Sequence, residues 1–344
     1  MSTTYEVTRE ELAGDLADQP RYRVDQTWHA LWGERRSFAE MTTLPRELRA
    51  RLAAAHPSAL RVAADVASDR GLTRKWVFAL ADGATIETVL MAYEDRVTVC
   101  VSSQAGCAMG CTFCATGQAG FTRHLTVGEV VEQVMHAARA AVPRRLSNVV
   151  FMGMGEPLEN YRVTVAALRA LRDDVGLSAR HLTVSSVGVA PAIERLATEG
   201  LPVTLAVSLH AATNAKRSAL VPLNDRYPLE RLAVACARWT QRTGRRLSFE
   251  WALIDAVNDT VADADELAHY ARPLGAHVNL IPLNPTPGYL VRGSAPERVR
   301  EFRDALVERG IEATVRATRG RSIDAACGQL AAVTSGRHRL EVRR

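Results

Sequence analysis

The stretch that decides the fold is an apolar strand pattern followed directly by a cysteine-rich loop, Val97-Thr98-Val99-Cys100-Val101-Ser102-Ser103-Gln104-Ala105-Gly106-Cys107-Ala108-Met109-Gly110-Cys111-Thr112-Phe113-Cys114. β-branched residues dominate its first five positions, which favours a buried strand. Three thiols then follow with the spacing C-x₃-C-x₂-C. The sequence therefore predicts a strand that leads into a site built from cysteine side chains.

Beyond this strand the chain alternates between strand and helix patterns. Six further strands are predicted at 148–152, 182–186, 203–209, 247–254, 278–282 and 313–316. Amphipathic helix patterns lie between them at roughly 161–173, 190–199, 228–242, 260–272 and 296–309, and another helix begins at Thr126 with the capping box Thr126 to Glu129. Six βα units in succession predict an α/β fold with parallel strands, closed into a barrel or left as an open sheet. In both, chemistry gathers at the C-terminal ends of the strands.

Two other segments precede this alternating core. Residues 1–72 are predicted to form a small helical accessory domain, because helix-starting patterns occur at Thr8 and Pro45. Residues 73–95 contain two runs rich in β-branched and aromatic residues on either side of Gly83, which is typical of a β-hairpin. The predicted division is therefore 1–72, 73–95 and 96–344.

Composition excludes several classes of protein. The chain has 344 residues, of which 47% are apolar, so a disordered or fibrous protein is excluded. No apolar stretch reaches the ~18 residues needed to cross a bilayer, and the first residues lack the features of a secretion signal. We therefore predict a cytoplasmic protein with no membrane contact. Between Tyr289 and Arg344 there are 12 arginines against 7 acidic residues, and this basic C-terminal segment indicates a nucleic-acid partner unless it reflects a general arginine preference.

The cysteine loop is typical of a metal centre. An iron–sulfur cube has four irons, so three cysteine ligands leave one iron open to bind a small molecule. Zinc at a structural site normally takes four protein ligands, and His124 is the nearby candidate for a fourth. A third interpretation is a set of buried thiols without a metal. The pattern favours the iron–sulfur cluster.

The loop, with an aromatic residue before its last cysteine, resembles the radical S-adenosylmethionine (SAM) superfamily. Five other segments narrow the resemblance, namely residues 100–107, 153–160, 208–211, 279–285 and 324–330. Together, from about Glu87 to Leu330, they resemble the RlmN/Cfr-type family of radical SAM RNA adenine methyltransferases. The resemblance implies a partial (β/α)₆ barrel in which Cys107, Cys111 and Cys114 hold one [4Fe–4S] cluster.

The resemblance also implies where SAM binds. In the superfamily the open iron binds the amino and carboxylate groups of SAM. By resemblance the SAM-binding residues here are Gly155, Glu156, Ser185, Ser208, Leu209, His210 and Asn284. Without the resemblance, the Gly153–Glu156 segment would be interpreted as a tight turn between a strand and a helix, and Ser185 and His210 as structural residues.

Three more residues receive catalytic roles from the resemblance. One SAM methylates Cys327, and a second SAM supplies a radical that activates the S-methyl group for addition to the adenine. Cys100 then resolves the protein–RNA crosslink by forming a transient disulfide with Cys327, and Glu87 accepts the proton. Without the resemblance, both cysteines would be interpreted as buried apolar residues and Glu87 as a solvated strand residue. Cys236 matches no family motif and is assigned to helix packing.

The resemblance implies a function and partners. The expected product is 2-methyladenosine in 23S rRNA, at the peptidyl-transferase centre, and in tRNA, at the adenosine 3′ of the anticodon. An electron donor such as flavodoxin is implied, and no protein partner can be inferred from the sequence. Two alternatives remain open. One is Cfr-type methylation at adenine C8, and the other is a non-catalytic RNA-binding protein in which the three cysteines and His124 hold zinc.

Overall fold

The computed structural model describes residues 2–284, 292–316, 320, 323–325 and 329–330. The helices within them are α1 (Arg9–Asp15), α2 (Tyr22–Trp32), α3 (Arg46–Ala55), α4 (Ala115–Ala119), α5 (Val127–Ala140), α6 (Tyr161–Asp173), α7 (Ala190–Leu196), α8 (Asn214–Leu220), α9 (Leu229–Thr243), α10 (Val261–Ala271) and α11 (Pro296–Glu308). The strands are β1 (Arg61–Ser68), β2 (Thr73–Ala79), β3 (Thr85–Ala92), β4 (Val97–Cys100), β5 (Gln104–Gly106), β6 (Phe121–His124), β7 (Asn148–Phe151), β8 (Leu182–Ser186), β9 (Thr204–Ser208), β10 (Ser248–Leu253), β11 (His277–Pro282) and β12 (Ala313–Val315).

Ten of these strands form one mixed sheet in the order β1-β2-β3-β4-β7-β8-β9-β10-β11-β12. Neighbouring strands from β1 to β4 are antiparallel, whereas every neighbouring pair from β4 to β12 is parallel. Six βα units run from β4 to α11, and β12 follows as a seventh parallel strand. The predicted α/β fold is confirmed, and the described strands form an open sheet with β1 and β12 at its edges.

The prediction of helix for residues 1–72 is wrong in its last part. The helices α1, α2 and α3 lie within residues 9–55, but Arg61–Ser68 forms β1, which pairs antiparallel with β2. Every side chain of β1 is exposed or partly exposed, so no alternation of apolar and polar residues marks it in the sequence. The division of the chain at residues 72 and 95 stays a prediction.

The predicted hairpin is present and extends the parallel part of the sheet. β2 and β3 pair antiparallel, and Gly83 in their connection has a φ of 85°, which glycine adopts readily. β3 also pairs with β4, with Val89 opposite Cys100. Trp76 on β2 and Ile86 on β3 are fully buried. The hairpin therefore packs into the molecule beside the first parallel strand.

Helix α5 begins where the capping-box pattern predicts. The hydroxyl of Thr126 accepts from the backbone N–H of Glu129 at 3.3 Å, and the Glu129 carboxylate accepts from the backbone N–H of Thr126 at 2.9 Å. Both bonds satisfy N–H groups that a helix leaves unpaired at its first turn. The cap fixes the start of the helix that follows the cysteine loop and β6.

We expect Thr126→Ala to lower the free energy of unfolding by about 1 kcal/mol, because the variant loses the side-chain acceptor at the helix start. Chemical denaturation of the metal-free protein measures the change. Thr122→Ala, at an exposed position on β6, is the control and should have a smaller effect. Equal losses in the two variants would show that the cap contributes nothing specific.

Helix α8 is an element that the sequence analysis did not identify. It has only seven residues and lies between β9 and α9, so the predicted βα alternation holds with one addition. In the described part of the chain, no helix has both the length and the apolar character needed to span a membrane.

Candidate active site

The three cysteines lie on the loop between β5 and α4. The loop is closed at its base by the backbone N–H of Cys107, which donates to the carbonyl of Gly120 at 2.8 Å. A side chain at position 117 would place its Cβ 3.0 Å from the backbone nitrogen of Cys111, so Gly117 allows the loop to fold tightly on α4. Cys111 is buried, and Cys107 and Cys114 are partly buried.

One cavity brings this loop together with the ends of the parallel strands. The space within it is about 960 Å³, part of which is open to solvent. Its described lining includes all three loop cysteines and five of the predicted SAM-binding residues: Gly155, Glu156, Ser185, Ser208 and His210. Leu209 and Asn284 are buried at two of the same strand ends but do not belong to this lining.

Glu156 is the buried carboxylate of the cavity. Its two oxygens accept from the backbone N–H groups of Leu158 at 2.9 Å and Val187 at 2.8 Å. Burial raises the pKa of Glu156 to about 7, and these hydrogen bonds oppose the rise. The carboxylate is therefore held in a fixed position, and a cationic ligand would stabilise its charged form.

The glycines before Glu156 have a structural reason of their own. A Cβ at position 153 would lie 2.7 Å from the Val101 backbone, and one at position 155 would lie 2.5 Å from the Gln104 side chain. Gly155 also has a φ of 99°. The Gln104 amide oxygen accepts from the Glu156 backbone N–H at 2.8 Å. The turn therefore packs against β4 and β5 while it lines the cavity, so the tight-turn interpretation and the ligand interpretation both apply.

His210 follows β9 in a left-handed backbone conformation, with a φ of 60°. Its Nδ1 accepts from the backbone N–H of Ala252 at 2.9 Å, so the proton of the neutral ring is on Nε2. Burial lowers the pKa of His210 to about 3, with a smaller contribution from Arg217. Phe113 of the cysteine loop packs edge-on against the ring at 4.6 Å. His210 is therefore a neutral hydrogen-bond donor fixed beside the loop.

Glu250 and Arg316 are lining residues that the sequence analysis did not assign to this site. Glu250 is buried on β10 and accepts from Ser248 Oγ at 3.0 Å and Asn279 Nδ2 at 2.6 Å. Burial raises the pKa of Glu250, and the charge of Arg316 opposes the rise. Arg316 belongs to the basic C-terminal segment, and it lines this cavity directly after β12. The sequence signal that could have identified Glu250 is its position as a charged residue between two apolar ones, Phe249 and Trp251.

Glu87 is buried on β3, which corrects the interpretation of it as a solvated strand residue. Its Oε2 lies 3.4 Å from Lys75 Nζ, and Lys75 Nζ also donates to the carbonyl of Asp324 at 3.2 Å. Burial raises the pKa of Glu87, Lys75 lowers it, and Asp324 raises it. The ammonium of Lys75 therefore joins Glu87 to the segment that precedes Cys327.

Of the two cysteines that the resemblance makes catalytic, Cys100 belongs to the described residues and Cys327 does not. Cys100 is buried at the end of β4. Cys327 lies outside the described residues. Before Cys327 in the chain, the carbonyl of Asp324 accepts from the ammonium of Lys75. After it, the carbonyl of Leu330 accepts from the hydroxyl of Thr116, which lines the cavity.

Comparison with known proteins decides between the possible cofactors of this cavity. Residues 101–281 match the Radical SAM superfamily. The chain is 48% identical over 344 residues to "Dual-specificity RNA methyltransferase RlmN 1" of Myxococcus xanthus, covering 97% of this chain and 96% of that protein. It is 54% identical to "Probable dual-specificity RNA methyltransferase RlmN" of Frankia alni, covering 93% of this chain and 80% of that protein.

The chain belongs to the RlmN family of radical SAM RNA methyltransferases. A solved structure supports the assignment at the level of the fold. A radical SAM methyltransferase from Sphaerobacter thermophilus superposes with a TM-score of 0.93 at 50% identity, covering 96% of this chain and 100% of that chain. The resemblance inferred from the sequence motifs and the prediction of a SAM-dependent enzyme are confirmed.

The residues present fit the [4Fe–4S] cluster and SAM that RlmN-family membership implies. Cys107, Cys111 and Cys114 are free thiols on one cavity wall, and thiolates are the ligands of such clusters. Burial raises the pKa of the Cys107 thiol to about 12, and it also raises the pKa of Cys111. The neighbouring thiols raise both pKa values further. A metal centre that binds these buried sulfurs as thiolates must therefore supply positive charge to offset their negative charge. Among the described residues, no group of three or more His, Cys, Asp or Glu side chains lies close enough together to hold a single metal ion.

The zinc alternative loses its fourth ligand. His124 is exposed on β6, and its Nδ1 lies 3.0 Å from Gln104 Nε2. Its ring packs edge-on against Phe121 at 5.2 Å, and His124 is not part of the described lining of the cavity. Three thiols without His124 match a cluster with an open iron better than a four-ligand structural zinc site.

Proposed function

We propose that this enzyme forms 2-methyladenosine in 23S rRNA, at the peptidyl-transferase centre, and in tRNA, at the adenosine 3′ of the anticodon. The observation that carries the proposal is the single cavity shared by the cysteine loop and the ends of the parallel strands. The names of the RlmN relatives supply the dual RNA specificity. We further propose that the enzyme acts in the cytoplasm and receives electrons from a donor such as flavodoxin.

Different residues of the cavity would hold the cluster and the SAM molecule. Cys107, Cys111 and Cys114 would hold the cluster, which when bound supplies the electron that cleaves SAM. Glu156 would accept from the SAM ammonium group, because its carboxylate is buried and fixed by two backbone N–H groups. His210 would offer its Nε2–H to the cofactor, because its Nδ1 already accepts from the backbone N–H of Ala252.

The methyl group would reach adenine through two cysteines. Adenine C2 is an electron-poor carbon, so it cannot attack the methyl group of SAM directly, and a radical route is required. In the proposed sequence Cys327 would take a methyl group from one SAM, and the resulting S-methyl group would lose a hydrogen atom to the radical released from a second SAM. Two SAM molecules would therefore be used per methylation. The carbon radical would then add to adenine C2. The adduct would lose the C2 proton to Glu87 and one electron back to the cluster, which leaves a closed-shell thioether between Cys327 and the base. Attack of the Cys100 thiol on the Cys327 sulfur releases the methylated base and leaves a disulfide.

Glu87 would accept the proton that leaves C2. A buried carboxylate with a raised pKa is a stronger base than an exposed one, and the nearby Lys75 keeps it from being fully neutralised. Lys75 also connects Glu87 to Asp324 of the segment that contains Cys327. The base and the methyl-carrying segment are therefore tied to one ammonium group.

The Cfr-type alternative, methylation at C8, uses the same cluster, SAM pocket and cysteines. Mass spectrometry of nucleosides separates the two products after 23S rRNA and tRNA are incubated anaerobically with the loaded enzyme, SAM and a reductant. We expect 2-methyladenosine in both RNAs. A product that is 8-methyladenosine and confined to rRNA would replace the proposal with the alternative.

We expect Glu156→Gln to weaken SAM binding at least tenfold, because a charged hydrogen bond in a buried site contributes about 1.5–3 kcal/mol. Since the Glu156 pKa is about 7, SAM binding to the metal-free protein should also weaken as the pH falls below 7 in the unsubstituted protein and not in the variant. Equilibrium dialysis with labelled SAM measures both effects. Glu159→Gln, an exposed position in the same turn, is the matched control. Equal affinities for the two variants would remove Glu156 from the SAM site.

A further inference from the structure

Arg217 is a buried cation on α8 to which the sequence analysis gives no role. Its side chain is 1% exposed. The guanidinium donates to the carbonyl oxygens of Val187 at 2.6 Å, Leu209 at 3.2 Å and Ser208 at 3.4 Å, and to Asn224 Oδ1 at 2.9 Å. Val187 follows β8, whereas Ser208 and Leu209 belong to the end of β9. One side chain therefore holds together two strand ends at the cofactor cavity.

The same helix contacts the cysteine loop. The backbone N–H of Thr112, which follows Cys111, donates to the carbonyl of Leu220 at the end of α8 at 3.1 Å. Burial lowers the pKa of Arg217, and the charges of Tyr270 and then Cys111 oppose that change. Val187 and Ser208, whose carbonyls accept from Arg217, line the same cavity as Cys111. Arg217 therefore lies within electrostatic reach of a cluster ligand.

The charge of Arg217 is not balanced by the described part of the protein. All four of its acceptors are neutral oxygens, three of carbonyls and one of an amide. The charged groups that shift the pKa of Arg217 include no carboxylate of the described residues. A buried charge without a counter-charge is costly, so a site that retains one is expected to gain its partner from a ligand.

We propose that Arg217 is a positioning residue whose buried positive charge is the counter-charge of the cluster bound by Cys107, Cys111 and Cys114, and that it raises the reduction potential of that cluster. The inference rests on the proposed function only in that the loop holds an iron–sulfur cluster. A cluster ligated by thiolates carries net negative charge, and α8 joins its loop to the cation.

The physical effect has a definite sign. Reduction adds an electron to the cluster, so a cation nearby stabilises the reduced form more than the oxidised form. The effect is strong where water is excluded, because buried charges are screened little. Removal of the charge should therefore make the reduction potential more negative, and the electron transfer that SAM cleavage requires should become harder.

The test compares two variants that differ in charge but disturb the same hydrogen bonds. Arg217→Gln removes the charge, whereas Arg217→Lys keeps it and loses the planar arrangement of donors. The control is Arg231→Gln, which breaks an ion pair with Glu194 on the outside of α9. Each protein is loaded with iron and sulfide anaerobically. Iron per chain is measured, and the reduction potential is determined by a redox titration followed by electron paramagnetic resonance.

We expect Arg217→Gln to have a more negative potential than the unsubstituted enzyme, while Arg217→Lys and Arg231→Gln stay close to it. Failure of Arg217→Gln to retain iron, when Arg217→Lys does retain it, also supports the requirement for charge. Equal potentials in all four proteins, or equal shifts in both Arg217 variants, would overturn the inference and leave Arg217 with a purely structural role. Absence of any cluster in the unsubstituted protein would instead contradict the proposed function.

Discussion

Cys111→Ala is expected to abolish iron loading and all methylation. The cluster is proposed to have only three protein ligands, so loss of one leaves it held by Cys107 and Cys114 alone. The fold should persist, because the large side chains at the centre of the core, such as Trp76, Trp239 and Trp251, lie on other elements. Iron analysis after anaerobic loading and the near-ultraviolet spectrum of the metal-free protein measure the two effects separately.

Cys236→Ala is the matched control for this experiment. Cys236 is also a fully buried free thiol, but it lies on α9 and belongs to helix packing, as the sequence analysis predicts. Its variant should keep about four irons per chain and retain activity, with a modest loss of stability from the missing sulfur atom. A Cys111→Ala protein that retains a full cluster and methylates RNA would contradict the radical SAM assignment of this loop.

Local patterns in the sequence predict most of what positions this site. The C-x₃-C-x₂-C spacing identifies the cysteine loop. The SAM-binding residues come from the family resemblance and not from the local pattern, and five of those seven line the same cavity as the thiols. The helix predicted at 161–173 coincides with α6, and the capping box places the start of α5. These features depend on neighbouring residues, so a single stretch of chain is enough to reveal them.

Features that depend on distant contacts are not visible in the same way. Glu87 is buried because Lys75 lies on the paired strand and Asp324 returns from the far end of the chain. Glu250 and Arg316 enter the cavity from β10 and from the end of β12. No spacing in the sequence brings these residues together, and the order and register of the strands do so.

Short or exposed elements are the other class that the sequence does not specify. β1 has no buried face, so its apolar residues follow no period of two, and its pairing with β2 decides its conformation. Helix α8 has seven residues, too few for a clear helical period. Its importance comes from Arg217, whose side chain donates to carbonyls that directly follow two different strands, β8 and β9.

The second large effect concerns the order in which Cys327 and Cys100 act. In the proposed mechanism Cys327 must carry the methyl group before any carbon–carbon bond exists, whereas Cys100 is needed only afterwards, to attack the Cys327 sulfur. Cys327→Ala should therefore retain its cluster and form neither methylated RNA nor a covalent adduct. Cys100→Ala should react once and stop, with the enzyme joined to RNA through Cys327.

Denaturing gel electrophoresis of each variant after incubation with tRNA, SAM and reductant shows the difference. We expect a shifted band for Cys100→Ala that nuclease treatment returns to the position of the free protein, and none for Cys327→Ala. Cys236→Ala should turn over without a trapped band. Iron analysis of all three variants confirms that each retains the cluster, since none of these cysteines is a proposed ligand.

The buried position of Cys100 makes the outcome for its variant a sharp test. Cys100 closes β4 opposite Val89, so alanine fills a similar small apolar position and the fold should be preserved. A purely structural cysteine at this position would leave turnover intact in Cys100→Ala. A folded, cluster-loaded Cys100→Ala protein that is inactive yet forms no crosslink would also contradict the role of Cys100, because the adduct must accumulate when only its release is blocked.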